Sequence, residues 1–130
     1  MPLYKYTYKH PVTGDKVDEE QDRNYVSNIA AEVMLHSFDD QPAITNQYGY
    51  QEWRKDGVIH RDGDKPAIID DYGDVWWLVN GELHRLSGPT VIYSNGSEGY
   101  YINHKRYTKE QWERHPDVVS YKLKQHALKG

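Results

Sequence analysis

Two kinds of turn recur along this chain at a fixed spacing, and that recurrence constrains the fold more than any other feature. Pro42-Ala43-Ile44, Pro66-Ala67-Ile68 and Pro89-Thr90-Val91 each lead, seven residues after the proline, to Gly49, Gly73 and Gly96. Four residues after each glycine stands an aromatic ring, Trp53, Trp77 or Tyr100, and four further on the second turn closes at Gly57, Gly81 or His104. His60, His84 and Tyr107 follow three residues later, so the unit is 24 residues long and then 23. A period in this range marks a chain built from stacked copies of one supersecondary unit.

Each copy reads as antiparallel hairpins. Asn80-Gly81, flanked by Trp77-Leu78-Val79 and Glu82-Leu83-His84-Arg85, suits a two-residue turn in which both central residues take positive φ. Such a loop sets Val79 opposite Glu82, Leu78 opposite Leu83, Trp77 opposite His84 and Trp76 opposite Arg85. Asp56-Gly57 and Asn103-His104 repeat the turn. The other loop, Gln47-Tyr48-Gly49 with its copies Asp71-Tyr72-Gly73 and Ser94-Asn95-Gly96, ends in the glycine that a left-handed bulge residue favours. Proline at a strand start removes no ladder bond.

Outside the repeats the signals are more local. Tyr4, Tyr6 and Tyr8 alternate with Lys5, Thr7 and Lys9 as a strand does, and the turn cluster Thr13 to Lys16 lets Val17 open a return strand before the acidic run Asp18-Glu19-Glu20. From Asp22 to His36, Val26, Ile29, Ala30, Val33 and Met34 fall at helical spacing. The end of that helix is contested, because Met34-Leu35-His36 before Pro42 matches Val58-Ile59-His60 before Pro66, the mark of a decayed strand. Thr108 with Gln111 forms a capping-box pattern for a short helix over Lys109 to Glu113. For the tail, Val119, Tyr121 and Leu123 alternate as in a strand, while Asp117 equally suits the opening of a helix. The expected fold is therefore mainly β with minor α: a meandering sheet of hairpin repeats over 42–108, an N-terminal hairpin and helix over 1–41, and a C-terminal cap over 109–130, in one domain.

Composition narrows the function classes. Twelve Tyr and four Trp against one Phe place much of the buried area in amphipathic rings. A net charge of −4 argues against a nucleic-acid partner. The absence of cysteine fits a reducing compartment, and no stretch has the length of an apolar membrane span, so a cytoplasmic protein without membrane contact is expected.

Trp77 through Pro89, which runs as aromatic, two residues, Asn-Gly, one residue, Leu-His-Arg, two residues, Gly-Pro, resembles the MORN repeat and is closer still to the MORN-variant repeat. The likeness spans Pro42 to about Thr108, with Thr90 in place of the family's Ala, Asp64-Lys65 in place of Gly before Pro66, and His104 and Tyr107 in the last copy. Such repeats occur in tailed-phage proteins and in bacterial proteins described as antitoxin-like. The resemblance implies a scaffold of stacked hairpins that binds protein or ligand, and it implies no catalytic residue.

Carried along the hairpin register, two stripes of side chains emerge. Trp53 with His60, Trp77 with His84 and Tyr100 with Tyr107 make a cross-strand stacking ladder whose duty is structural. The other stripe places Arg61 opposite Glu52 and Arg85 opposite Trp76, alongside Arg54, Tyr101 and Arg106. Rows of Trp, Tyr and Arg are what protein-binding surfaces use, so Trp76, Arg85, Arg61, Tyr101, Arg106 and Arg54 are the candidate binding residues of a non-enzymatic module, such as a phage-encoded inhibitor of a host enzyme or defence component. The alternative is a nucleotide binder in which Arg61, Arg85 and Arg106 hold phosphate and Trp76 or Tyr101 holds the base. A hydrolase with His60 and His84 as acid and base ranks third, because no nucleophile motif or phosphate loop accompanies them. No metal and no cofactor is expected: the third copy of those histidines is Tyr107, and Asp62, Asp64, Asp70, Asp71 and Asp74 lack the spacing of a cation loop. Were the helices not to cover the ends of the sheet, a homo-oligomer through an edge would follow.

Overall fold

The computed structural model describes residues 3–30 and 32–129. The fold is mainly β, as the sequence implies. A long hairpin, β1 (Leu3–Lys9) and β2 (Lys16–Asp22), opens the chain, followed by α1 (Arg23–Ile29) and the two-residue strand β3 (Met34–Leu35). The repeats supply β4 (Ile44–Asn46), β5 (Gln51–Glu52), β6 (Arg54–Lys55), β7 (Val58–Ile59), β8 (Ile68–Ile69), β9 (Val75–Trp76), β10 (Leu78–Val79), β11 (Glu82–Leu83), β12 (Val91–Ile92), β13 (Glu98–Ile102) and β14 (Lys105–Tyr107). Helices α2 (Lys109–Arg114) and α3 (Pro116–Lys129) complete the described chain.

Each repeat contributes to two columns of strands. In the first, β4, β5, β8, β9, β12 and β13 pair antiparallel in chain order, with β1 and then β2 beyond β4. The chain leaves this sheet at Trp53 and Trp77, and the next residues form the separate hairpins β6–β7 and β10–β11. These make the second column. Their turns take positive φ at both positions, Asp56 and Gly57, Asn80 and Gly81, Asn103 and His104, and the register sets Leu78 against Leu83 and Val79 against Glu82 as the turn predicts. The hairpins bond to one another through the turns: Gly57 N–H donates to Leu35 O (2.9 Å), Gly81 N–H to Ile59 O (2.8 Å) and His104 N–H to Leu83 O (2.8 Å). Strand β1 pairs with β4 through Tyr4 to Tyr6 and with β3 through Tyr8 and Lys9, so it borders both columns, and the unbroken β13 does the same at the far end.

Between the columns lies a seam in which buried small residues alternate with the rings of Trp53 and Trp77. Ala43, Ala67 and Thr90 have almost no exposed surface, and Trp53 and Trp77 donate their backbone N–H to Ala67 O and Thr90 O at 2.8 Å. The burial of Ala43, Ala67 and Thr90 explains the small residue after each proline, since a close-packed position without exposed surface leaves no room for a longer side chain. Two cores close the ends. Tyr6, Val26, Leu35 and Ile44 join α1 to the first strands, and Tyr100, Ile102, Trp112 and Val118 join α2 and α3 to the last.

The N-terminal helix is shorter than its periodicity suggests. Asp22 caps it by accepting Tyr25 N–H (2.9 Å), but it ends at Ile29, and Met34-Leu35 pairs with β1 as the decayed strand its likeness to Val58-Ile59 implies. Thr108 and Gln111 form the capping box of α2, and the tail is helical from Pro116, not a strand. The helices pack on the end cores, leaving β2 and β14 as the outermost strands; β2 carries Asp18, Glu19 and Glu20, charges that disfavour pairing with another edge.

Candidate binding surface

The histidines hold the scaffold together. Six of the seven accept a backbone N–H at Nδ1, and four of these bonds run between successive units: His36 from Asp56 (2.9 Å), His60 from Asn80 (2.9 Å), His84 from Asn103 (3.0 Å) and His104 from Leu83 (3.1 Å). An Nδ1 that accepts requires the neutral ring with its proton on Nε2. Burial favours that state, lowering the pKa of His36 and of His84 below the ordinary histidine value. His60 turns Nε2 to Asp62 at 2.7 Å. Its Nδ1 is thus engaged by backbone and its Nε2 by a carboxylate, the arrangement of a positioned strut. The third copy of the position, Tyr107, stacks edge-on against His115 with ring centres 5.3 Å apart.

The expected cross-strand pairs stand opposite one another, His60 N–H donating to Trp53 O (3.1 Å), His84 N–H to Trp77 O (3.3 Å) and Tyr100 facing Tyr107, but among the described residues neither tryptophan ring stacks on its histidine. Arginine takes that place instead: the Arg61 guanidinium lies 3.8 Å from the centre of the Trp53 ring, and Arg85 lies 3.8 Å from that of Trp77. Arg61 bonds both oxygens of Asp40 (2.9 and 3.1 Å) and Pro66 O, while Arg85 bonds Asp64 (3.0 Å), Ser87 and Pro89 O. Bonds from Arg61 and Lys65 hold the Asp40 carboxyl down at about 2. The pairings of Arg61 with Glu52 and Arg85 with Trp76 are therefore corrected, because the hairpin register stops where the chain leaves the sheet at Trp53 and Trp77. A phosphate recruited by Arg61 or Arg85 would have to displace a carboxylate. In the last unit Trp112 of α2 replaces the arginine, its ring 5.1 Å from that of Tyr100 and its Nε1–H donating to Arg85 O. Trp53 Nε1–H donates to Asp40 O at 3.0 Å, whereas the buried Trp77 Nε1–H has no partner among the described residues.

The remaining candidates are dispersed. Arg54 bonds Glu52 (2.5 Å) and Gly57 O; Trp76 donates Nε1–H to Asp70 (3.3 Å) and packs edge-on against Tyr93. Tyr101 uses its backbone N–H and C=O to hold the Thr90 hydroxyl, and Arg106 is exposed on β14 across from it. Arg54 and Trp76 share the side of the sheet that carries α1, and Arg61 and Arg85 lie with Trp53 and Trp77 on the other. Arg54 and Arg61 line one recess and Arg61 and Arg85 another, but among the described residues no recess joins all six.

A recess forms beneath α1. It is a cleft of about 400 Å³ between the helix, the sheet and the loop Asp70–Tyr72, with Arg23 and Tyr4 on its walls. Glu52 is only 5% exposed there; it receives the Tyr50 hydroxyl at 2.6 Å and the Arg54 guanidinium. Burial first, then the Glu52 charge, raises the Tyr50 phenol far above its ordinary value, so Tyr50 stays a donor. At the mouth stands Tyr72, 82% exposed, and one unit away Tyr48 occupies the same loop position at 59%. Both loops are pinned by a side chain: Asn46 accepts Tyr48 N–H and Tyr50 N–H, and Asp70 accepts Tyr72 N–H and Asp74 N–H, all between 2.9 and 3.0 Å. These tyrosines are absent from the candidates drawn from the sequence. The signal for them is that a glycine-ended loop needs nothing aromatic at its tip, yet has tyrosine there twice.

Among the described residues no three His, Cys, Asp or Glu side chains gather as a metal site, and no helix is long and apolar enough to cross a membrane. Comparison of the chain with family models, with curated proteins and with solved structures yields no match.

Proposed function

We propose that this is a non-enzymatic protein-binding module and that its contact surface is the loop edge of the first column, where Tyr48 and Tyr72 project beside the cleft under α1. The observation that carries the reading is the pair of exposed tyrosines at equivalent loop tips, held by Asn46 and Asp70. Tyrosine offers large contact area at little entropic cost, and pinned loops reduce the ordering that binding would otherwise demand. The groups that chemistry or phosphate recognition would need, the histidines at Nδ1 and Arg61 and Arg85, are engaged in holding the repeats. The resemblance to MORN-variant repeats of phage and antitoxin-like proteins supports a regulatory target, a host enzyme or defence component in the cytoplasm.

The test is affinity capture from host lysate with the native protein and with the double variant Tyr48→Ala/Tyr72→Ala. A stoichiometric protein captured by the native chain and lost by a variant of unchanged unfolding midpoint is the expected result. Equal capture by both would overturn the assignment of the surface, and a retained nucleotide without any protein partner would overturn the function.

A further inference from the structure

We infer that the cleft beneath α1 receives an arginine or lysine side chain of the protein partner. This deepens the proposal above and rests on it. Val26 and Ile44 line the cleft beside the buried Glu52, and its wall carries the rings of Tyr4 and Tyr50 in edge-on contact, centres 6.0 Å apart. Tyr72 and Asp71 stand at the mouth. A cation with an aliphatic stem suits this arrangement, the stem lying along Val26, Ile44 and the tyrosine rings and the head between a tyrosine face and a carboxylate.

The charges decide between a cationic and an anionic guest. Glu52 and Arg54 neutralise each other at 2.5 Å, and Asp70 is committed to Tyr72 N–H, Asp74 N–H and Trp76 Nε1–H. Asp71 differs. It is exposed, is met only by the Asn46 amide at 3.3 Å, and pairs with no lysine or arginine among the described residues. Arg23, the lining cation outside any ion pair among the described residues, belongs to α1, and with Arg54 it is outnumbered by the lining carboxylates Glu52, Asp70 and Asp71. The net charge of −4 favours encounter with a basic surface. A volume of about 400 Å³ holds one long side chain with its flanking backbone.

The experiment is an amide NMR titration of the intact protein with the capped peptide Gly-Ser-Arg-Ser-Gly and its citrulline counterpart, which keeps the shape and removes the charge. The expected result is saturable shifts at Asp71, Tyr72 and Ser27 with the arginine peptide, weakened about tenfold by citrulline, which loses both the ion pair and the cation–π contact, and about threefold by Asp71→Asn, which loses the exposed ion pair alone. Equal shifts from both peptides, shifts that avoid the cleft, or occupation of the same residues by AMP instead would overturn the inference. Capture of the lysate partner separates the two proposals. A partner held equally by native protein and Asp71→Asn, but lost by Tyr48→Ala/Tyr72→Ala, overturns the cationic guest and leaves the tyrosine surface standing.

Discussion

Replacing His84 with phenylalanine keeps an aromatic ring and deletes the acceptor that Asn103 N–H uses at 3.0 Å. Asn103 lies at an exposed turn, so water recovers part of the loss, and the expected destabilisation is about 1 kcal/mol, the low end for an unpaired backbone donor. For a domain of this size that lowers the thermal midpoint by about 4 °C. The pH dependence is more telling. His84 has a folded pKa below its ordinary 6.5 because burial disfavours the imidazolium. The unfolded chain therefore binds the proton first, the stability due to the neutral ring is complete above pH 6.5, and it drains away as pH falls from there toward the folded value. The phenyl ring of the His84→Phe variant cannot titrate, so the gap between native and variant proteins must narrow on acidification from about pH 8 to about pH 5. Urea midpoints across that range measure it. A gap that is constant or widens would refute the neutral-acceptor role of His84.

Two further substitutions probe the seam and its ion pairs. Trp53→Phe deletes a bond to Asp40 O, whereas Trp77→Phe deletes a buried donor with no partner among the described residues, so chemical denaturation should show the first to cost about 1 kcal/mol more than the second despite identical chemistry. Asp40, held at about 2 by Arg61 and Lys65, contributes stability that is complete above its ordinary 3.8 and is lost as pH falls toward 2. Asp40→Asn should accordingly flatten the acid limb of the pH–stability curve, read by circular dichroism.

What the sequence discloses and what it hides divide along one physical line. Asn80-Gly81 and Asp56-Gly57 announce their geometry because few residues other than Asn, Asp and Gly tolerate positive φ, and the local register follows from the turn alone. That register holds for three pairs, the third closed by His60 N–H on Trp53 O and His84 N–H on Trp77 O, and then ends. Trp76 belongs to one column and Arg85 to a segment beyond the other, so extending the ladder by one step assigns the arginines to the wrong partners. Their true carboxylates, Asp40 and Asp64, stand 21 residues upstream in the segments before Pro42 and Pro66, a separation that no local periodicity measures. The bonds from the histidines to the next unit's turn are hidden for the same reason. At the C-terminus, alternation of Val119, Tyr121 and Leu123 imitates a strand, and the choice is made by contact: Val118 is buried with Trp112 and Tyr100, which ties the tail to α2 as a helix. The surface tyrosines are invisible to such arguments because nothing in the fold requires them.

Because Tyr48 and Tyr72 occupy the same place in successive units, their separation is set by the sheet and not by the loops. Two strands intervene from one tip to the next, which fixes the pitch at roughly 10 Å. The edge is in effect a graduated ruler, with two marks filled by tyrosine and a third, Asn95, left polar. Whatever docks along it is measured against that interval, and a lineage can lengthen or shorten the scale by whole units without redrawing the marks.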